Sequence, residues 1–291
     1  MIDIGLHRIT GPRYEVRGKT VLITGAGQGI GRELARVLHD RGATLALVDL
    51  DETRARAVAS TLGTRALAIG ADVTDRDAMA AAIAHTTSRF GRLDVVVANA
   101  GIVPKPATLR TMDARSFDQV LDVNLTGVFN TVHPALDHIV DARGHVVVVS
   151  SCAAFAPGMG GSPYMISKAG VEQLGRALRV ELAPHGATAG ISYFGIVDTE
   201  MTHATLDRDD LGRAIDNLLP WPLSVRISAA EAARVIADGI GRRAARTIAP
   251  AGWQPYALLR GIVNIALDHR LTRDPRVARL IQVLESAAVK R

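Results

Sequence analysis

At 291 residues, 48% hydrophobic but only 4% aromatic, the chain is long enough for one large α/β domain with an aliphatic core. A net charge of +5, with no basic run interleaved with aromatics, argues against nucleic acid and suits anionic small ligands or an acidic membrane surface. The single cysteine excludes an internal disulfide framework, the nine histidines form no ligand cluster for a metal, and no apolar run reaches the ~18 residues of a membrane span.

The opening MIDIGLHRITGPRY lacks the apolar stretch of a signal peptide, so a cytoplasmic protein is expected. Then come short aliphatic runs that read as strands: TVLIT (20–24), TLALVD (44–49), RALAIG (65–70), LDVVVAN (93–99), GHVVVVSS (144–151) and ATAGISYF (187–194). Their nearly continuous apolar character fits strands covered on both faces, as in a parallel sheet. Residues 29–41, 52–62, 75–90, 114–141 and 163–184 read as helices between them. This alternation predicts a single doubly wound Rossmann-type α/β domain, with a mostly parallel central sheet and helices on both faces. We place it at 17–250, after an N-terminal extension (1–16). An irregular, helix-bearing loop (198–227) breaks the rhythm with Pro220, Trp221 and Pro222, and a basic amphipathic tail (251–291) follows.

The first strand runs into TGAGQGIG, Thr24 to Gly31, and then a helix. In that context the turn amides and the helix N-terminus face a dinucleotide pyrophosphate. A G-x-G-x-x-G frame started at Gly25 would end on Ile30; the glycines fit T-G-x-x-x-G-x-G instead. Gly25 permits the tight turn, Gly29 lets backbone approach phosphate and Gly31 allows helix–strand packing, with Gln28 and Ile30 completing the cofactor-facing segment. Asp49, at the end of the second strand, stands where an acid accepts hydrogen bonds from the adenosine ribose. A carboxylate there also repels a 2′-phosphate, by about 4 kcal/mol at ~4 Å and intermediate dielectric. Asp51 suits the cap of the next helix better, and the residue beside Asp49 is Leu50 rather than a cation. NAD is therefore expected over NADP.

SPYMISKAG (162–170) starts a helix, with Ser162 as N-cap and Pro163 as first residue. Tyr164 and Lys168 then share a face. Spacing alone fits a packed tyrosine beside a solvated lysine as well as an acid–base pair. The wider pattern is more specific. ADV (71–73), ANAG (98–101), VNLTG (123–127), VSS (149–151), YMISK (164–168) and GIVDT (195–199) follow the glycine turn in order. Over about 17–250 the chain resembles the short-chain dehydrogenase/reductase family in its roughly 250-residue form.

That resemblance implies roles. Asp72 and Val73 would flank the adenine, and Asn99, Ala100 and Gly101 would line the cofactor cleft. Val197 and Thr199 would contact the nicotinamide carboxamide, and Lys168 would hold the nicotinamide ribose next to Tyr164. Ser151, 13 residues before Tyr164, matches the catalytic serine, whereas Ser150 does not. Asn124 matches the active-site asparagine that helps hold a proton-relay water. Ser151 would bind the substrate oxygen and Tyr164 would exchange its proton while hydride moves between carbinol carbon and nicotinamide. Free tyrosine titrates near pH ~10, and Lys168 together with a positive nicotinamide is expected to lower that value. Relatives are commonly dimers or tetramers through the long helices, so a homodimer or homotetramer is expected. Cys152 has no histidine placed by motif to activate it and reads as packing.

This chain departs from the family in two places: Ala98 begins ANAG, where relatives often have a second asparagine, and Phe194-Gly195 replaces Pro-Gly. Phe194 either shapes the pocket or packs in the core. Met159, Phe194, Met201 and Trp221, with Ser151 and Tyr164, suggest an apolar substrate pocket, hence a hydrophobic secondary alcohol or ketone. The alternatives are a 3-oxoacyl reductase using NADPH, which Asp49 disfavours, and a non-catalytic dinucleotide-binding regulator, which the intact Ser151, Tyr164 and Lys168 disfavour. In the tail, Asp274-Pro275 starts a helix with Val277, Leu280, Ile281 and Leu284 on one stripe. Leu258, Leu259, Ile262, Val263 and Ala266 form an earlier stripe. Both are read as packing on the subunit or across an oligomer interface, with peripheral membrane contact as the alternative.

Overall fold

The structure, a computed structural model, describes residues 13–156, 158–207 and 222–289. Aliphatic, mostly β-branched runs form β1 (Thr20–Thr24), β2 (Thr44–Asp49), β3 (Ala66–Gly70), β4 (Val95–Ala98), β5 (His145–Val149) and β6 (Thr188–Phe194). A short parallel pair follows, β7 (Ile196–Asp198) with β8 (Arg226–Ser228), and then β9 (Arg246–Ala249). The main sheet has seven strands in the order β3-β2-β1-β4-β5-β6-β9, and every neighbouring pair is parallel. β1, β4 and β5 are buried along their whole length, which is why they carry no polar alternation.

Side-chain alternation splits the core between the two faces. Leu22, Val96, Val148 and Ile191 pack with α3 (Arg76–Phe90) and α7 (Ser162–Leu182). Val21, Ile23, Val97 and Val147 pack on the other face with α1 (Gly29–Asp40), α2 (Glu52–Leu62) and α8 (Ala229–Arg242). The N-terminal extension joins this layer at Tyr14, whose N–H donates to Gly241 O at 2.8 Å. Residues 1–12 lie outside the described residues.

Three departures from the sequence reading have local causes. The single helix expected over 114–141 is broken into α4 (Ala114–Leu121), a π-turn (Asp122–Thr126), α5 (Gly127–Val132), a 3₁₀ turn (His133–Ala135) and α6 (Leu136–Asp141). Pro134 cannot donate to the helical ladder, and the π-turn places Asn124 where the helix widens. Ser162 is not the cap of α7: Gly161 holds that position without a side-chain bond, and Ser162 and Pro163 lie inside the first turn. Proline is accepted there because first-turn N–H groups have no intrahelical partner. Finally, β9 and α8 were not anticipated. β9 is four residues long and begins with an exposed arginine, whereas α8 opens on a legible capping box, Ser228 with Glu231.

The tail forms α9 (Trp253–Leu271) and α10 (Pro275–Val289). Asp274 accepts from Arg276 N at 2.9 Å at the start of α10, and Val277 and Leu284 are buried, as expected for that stripe. The earlier stripe does not pack. Arg260 donates to Glu172 of α7 (Nη1 to Oε2, 2.8 Å), and Asn264 Nδ2 donates to Phe155 O at 2.8 Å. These bonds set the rotation of α9 and leave Leu258, Leu259, Ile262 and Ala266 exposed, with Val263 half-buried. No helix among the described residues is long and apolar enough to cross a membrane.

Gly175 lets α7 lie directly on β5 and β6. A Cβ there would stand 2.6 Å from Ile191 Cγ1 and 2.7 Å from Val148 Cγ2. Gly175→Val is expected to lower unfolding free energy by about 1–3 kcal/mol in urea titrations, through overpacking. Gly261→Ala, on α9 with nothing within 4 Å, should not destabilise.

Candidate active site

The C-terminal ends of β1 to β6 open into a cleft of about 1120 Å³. It lies where strand order reverses, between β1 and β4, as ligand crevices of open parallel sheets do. Thr24 Oγ1 accepts from Asn99 N (3.1 Å) and Ala100 N (3.2 Å), and Asn99 Nδ2 donates to Thr24 O (2.9 Å) and Gly25 O (3.3 Å). The glycine turn is thereby tied to β4. Gly25 and Gly29 take φ of +64° and +51°, conformations that L side chains rarely adopt. A Cβ on Gly31 would lie 2.1 Å from Gly25 O and 2.9 Å from Asn99 Nδ2, so this glycine lets the helix start close on the turn and on the end of β4. Gln28 caps α1 without a side-chain bond, leaving first-turn amides directed outward as an anion cradle.

Asp49 is held rather than loose. Its Oδ2 accepts from Gly27 N at 2.8 Å and its Oδ1 from Asp51 N at 3.1 Å. Asp51 caps α2 as expected, accepting from Thr53 N and Arg54 N. Gly27 was overlooked in the sequence, although it is a fourth glycine in an eight-residue turn. A Cβ there would lie 2.7 Å from Arg54 Cβ and 3.0 Å from Asp49 Oδ2. Arg54 was overlooked too, and nothing in its sequence position signals it. Its guanidinium bonds Gln28 Oε1, stands 3.4 Å from Asp51 Oδ2 and reaches Glu200 Oε2 at 3.4 Å, spanning the cleft mouth.

Further along, Ser151, Tyr164 and Lys168 converge. Ser151 Oγ donates to Phe194 O at 3.3 Å and accepts from Ala153 N at 3.1 Å, and the serine lies close enough to Tyr164 to lower the phenol's pKa. Lys168 Nζ lies 5.6 Å from the Tyr164 ring centroid and donates to Val149 O at 3.0 Å. Ser150 faces away, donating to Lys168 O at 2.8 Å. Asn124 is fully buried behind the cleft. Its amide donates to Ile102 O (2.8 Å) and accepts from Ile102 N (2.7 Å). A Cβ on Gly101 would lie 3.3 Å from Asn124 Oδ1 and 3.4 Å from Lys168 Nζ, so only glycine leaves that junction open.

The family model described as short chain dehydrogenase matches residues 19–210. The chain belongs to the short-chain dehydrogenase family. It is 36% identical over 177 residues to an L-fucose dehydrogenase of Bos taurus, covering 60% of this chain and 64% of that one. It is 39% identical over 189 residues to a (-)-trans-carveol dehydrogenase of Rhodococcus erythropolis, covering 58% of this chain and 68% of that one. Among solved structures it resembles a 3-ketoacyl-(acyl-carrier-protein) reductase from Brucella melitensis complexed with NADH. That likeness has a TM-score of 0.72 at 26% identity and covers 80% of this chain and 97% of the other.

Most residues singled out from sequence line this short-chain dehydrogenase cleft: Gly25, Gln28, Gly29, Ile30, Asp49, Asp72, Val73, Asn99, Ala100, Gly101, Ser151, Tyr164, Lys168, Phe194, Val197, Thr199 and Met201. Gly31 and Asn124 stand just behind it. Phe194 resolves into both of its readings, being only 3% exposed yet on the wall. Met159 does not line the cleft; its turn is held against the preceding loop by Ala107 N donating to Gly160 O at 3.0 Å. Trp221 and Pro220 lie outside the described residues. Cys152 is buried and burial pushes its thiol up, which suits packing rather than attack.

The electrostatics of the cleft without cofactor are set by burial. Burial is the largest influence on Tyr164 and raises its pKa, opposed by the hydrogen bond from Ser151. Burial also lowers Lys168 from 10.5 to about 8. Without cofactor, burial therefore holds the tyrosine as a phenol. Between pH 8 and 10.5 the unfolded chain keeps a proton that folded Lys168 has lost, so this group's contribution to stability rises with pH across that window. Below about 8 the cost of burying the ammonium is fully present. Lys168→Met should stabilise the cofactor-free protein at pH 7 by on the order of 2 kcal/mol. In urea titrations at stepped pH, the gap should close as pH rises from 8 towards 10.5.

Proposed function

We propose that this short-chain dehydrogenase interconverts a secondary alcohol and a ketone on a hydrophobic small molecule, with NAD as cofactor. The observation that carries the proposal is the meeting of Ser151, Tyr164 and Lys168 in the same cleft as the glycine turn and Asp49.

The residues fit a dinucleotide. First-turn amides of α1 and the open glycine backbone suit the pyrophosphate, Asp49 the adenosine ribose, Asp72 and Val73 the adenine, Lys168 the second ribose, and Val197 and Thr199 the carboxamide. The cofactor supplies the hydride acceptor or donor; binding, orientation and proton movement fall to the protein. Ser151 holds the substrate oxygen and Tyr164 exchanges the proton on it. Lys168 keeps a positive charge beside the phenol, and Asn124 fixes the backbone at Ile102, next to Gly101, which the lysine approaches. As Tyr164 is held protonated, ketone reduction is favoured at neutral pH and alcohol oxidation gains as pH rises.

Two features support NAD over NADP. Asp49 is held in place by two backbone amides, and the mouth also carries Asp51, Glu52 and Glu200, while Arg54 is already engaged with Gln28 and Glu200 and Arg56 with Glu52. A 2′-phosphate would meet an excess of negative charge. Phe194, Met201 and Ile102 near the reacting end support an apolar substrate. The likeness to a 3-ketoacyl reductase favours a second reading, reduction of an acyl thioester ketone. We infer a homodimer or homotetramer through α4–α6 and α7, where Phe129 and Ile166 are exposed.

Fluorescence titration with NADH and NADPH tests the cofactor assignment. NADH is expected to bind at least ~10-fold more tightly, and Asp49→Ala should narrow the ratio. Tighter NADPH binding would overturn it and promote the acyl reductase. A panel of lipophilic alcohols then tests chemistry: Tyr164→Phe should cut kcat by ~10²–10⁴-fold while NADH still binds.

A further inference from the structure

We propose that α9 docks by its exposed face on an anionic lipid bilayer, lying in the headgroup region. Leu258, Leu259, Ile262 and Ile265 on that face are 64%, 55%, 75% and 73% exposed. The other exposed residues between 253 and 267 are Gln254, Pro255, Gly261 and Ala266, so every exposed residue of this stretch is uncharged. Water-facing helices normally carry charge there, and a helix apolar outward has something to cover it.

The inward face cannot rotate to hide the stripe. Arg260 is bound to Glu172 and Asn264 to Phe155 O, so α9 is pinned with its leucines and isoleucines outward. Charge indicates the occupant. Residues 251–291 hold seven Lys/Arg against three Asp/Glu, a net +4 of the chain's +5. Arg270, Arg273, Arg276 and Arg279 are all exposed around the α9–α10 corner, at the end of the apolar stripe. Among the described residues, neither Arg270 nor Arg279 has an ion-pair partner. Anionic headgroups match this arrangement, each nearby cation adding to attraction. One helix face also presents far fewer than the ~20–30 residues a side of a stable protein–protein interface, whereas a bilayer demands no matching shape.

Co-sedimentation of the full chain with phosphatidylcholine vesicles, with and without phosphatidylglycerol, tests the proposal. The protein should pellet with the anionic vesicles, and added salt should weaken binding. Ile262→Glu/Ile265→Glu should reduce it by at least ~10-fold and Arg270→Gln/Arg279→Gln by about 10-fold, with Tm and NADH binding unchanged. If the glutamates lower Tm, Leu258→Gln/Ile262→Gln carries the same test. Failure of the wild type to pellet with either vesicle, or unchanged binding by the stripe variants, would overturn the proposal. So would a stripe variant that only reduces the oligomer's mass in light scattering, which would assign the face to a second copy.

Discussion

Thr24 Oγ1 receives the backbone N–H groups of both Asn99 and Ala100, and this buried acceptor joins the ends of the two strands between which the cleft opens. Parallel strands diverge beyond their C-terminal ends, and without a tie the glycine turn would have no fixed relation to β4. Asn99 strengthens the tie by donating to Thr24 O and Gly25 O. From that knot the rest follows: Gly27 presents its amide to Asp49 on one side, and Gly101 stays open to Lys168 and Asn124 on the other. One short polar cluster therefore aligns the adenosine end of the cleft with its reacting end.

Burial then sets the chemistry. Tyr164 and Lys168 share a helix face, but their setting between α7 and the ends of β4 and β5 shifts both toward their neutral forms. The lysine tolerates this because Val149 O accepts from it, and Ser151 partly offsets the upward shift of the tyrosine. The pair is thus a strained electrostatic arrangement held by packing, and its cost to stability is carried by the aliphatic sheet beneath. Gly175, which brings α7 against Val148 and Ile191, belongs to the same arrangement although it lies far along the helix from the hydroxyl.

The C-terminal hairpin has two unlike faces. Its inner side is bound by polar and charged contacts, Arg260 to Glu172, Asn264 to Phe155 O, and Glu285 to Thr108 and Arg110. Its outer side on α9 is apolar. The inner side is also anchored by buried Trp253, Val277 and Leu284, so the hairpin has its own packing and the outward aliphatic residues of α9 are additional to it, as in an attachment surface.

Much was determined by the sequence alone. Nearly continuous aliphatic runs such as VLIT and HVVVV specify strands buried on both faces, and the glycine spacing after the first of them specifies a phosphate-binding turn. Asp49 was legible from its place at a strand end after the glycine turn, whereas Ser151 and the pairing of Tyr164 with Lys168 were legible only through the ordered set of motifs that resembles the family. Tertiary structure alone decided what depends on groups distant in sequence. Arg54 reaches Gln28 and Glu200 only once α2 and the segment after β7 flank the same mouth. The raised pKa of Tyr164 reflects burial, which a one-dimensional pattern cannot report. The apolar stripe of α9 faces outward because Arg260 and Asn264 find partners on α7 and at Phe155, and helical periodicity identifies a stripe without saying which side the protein will bury.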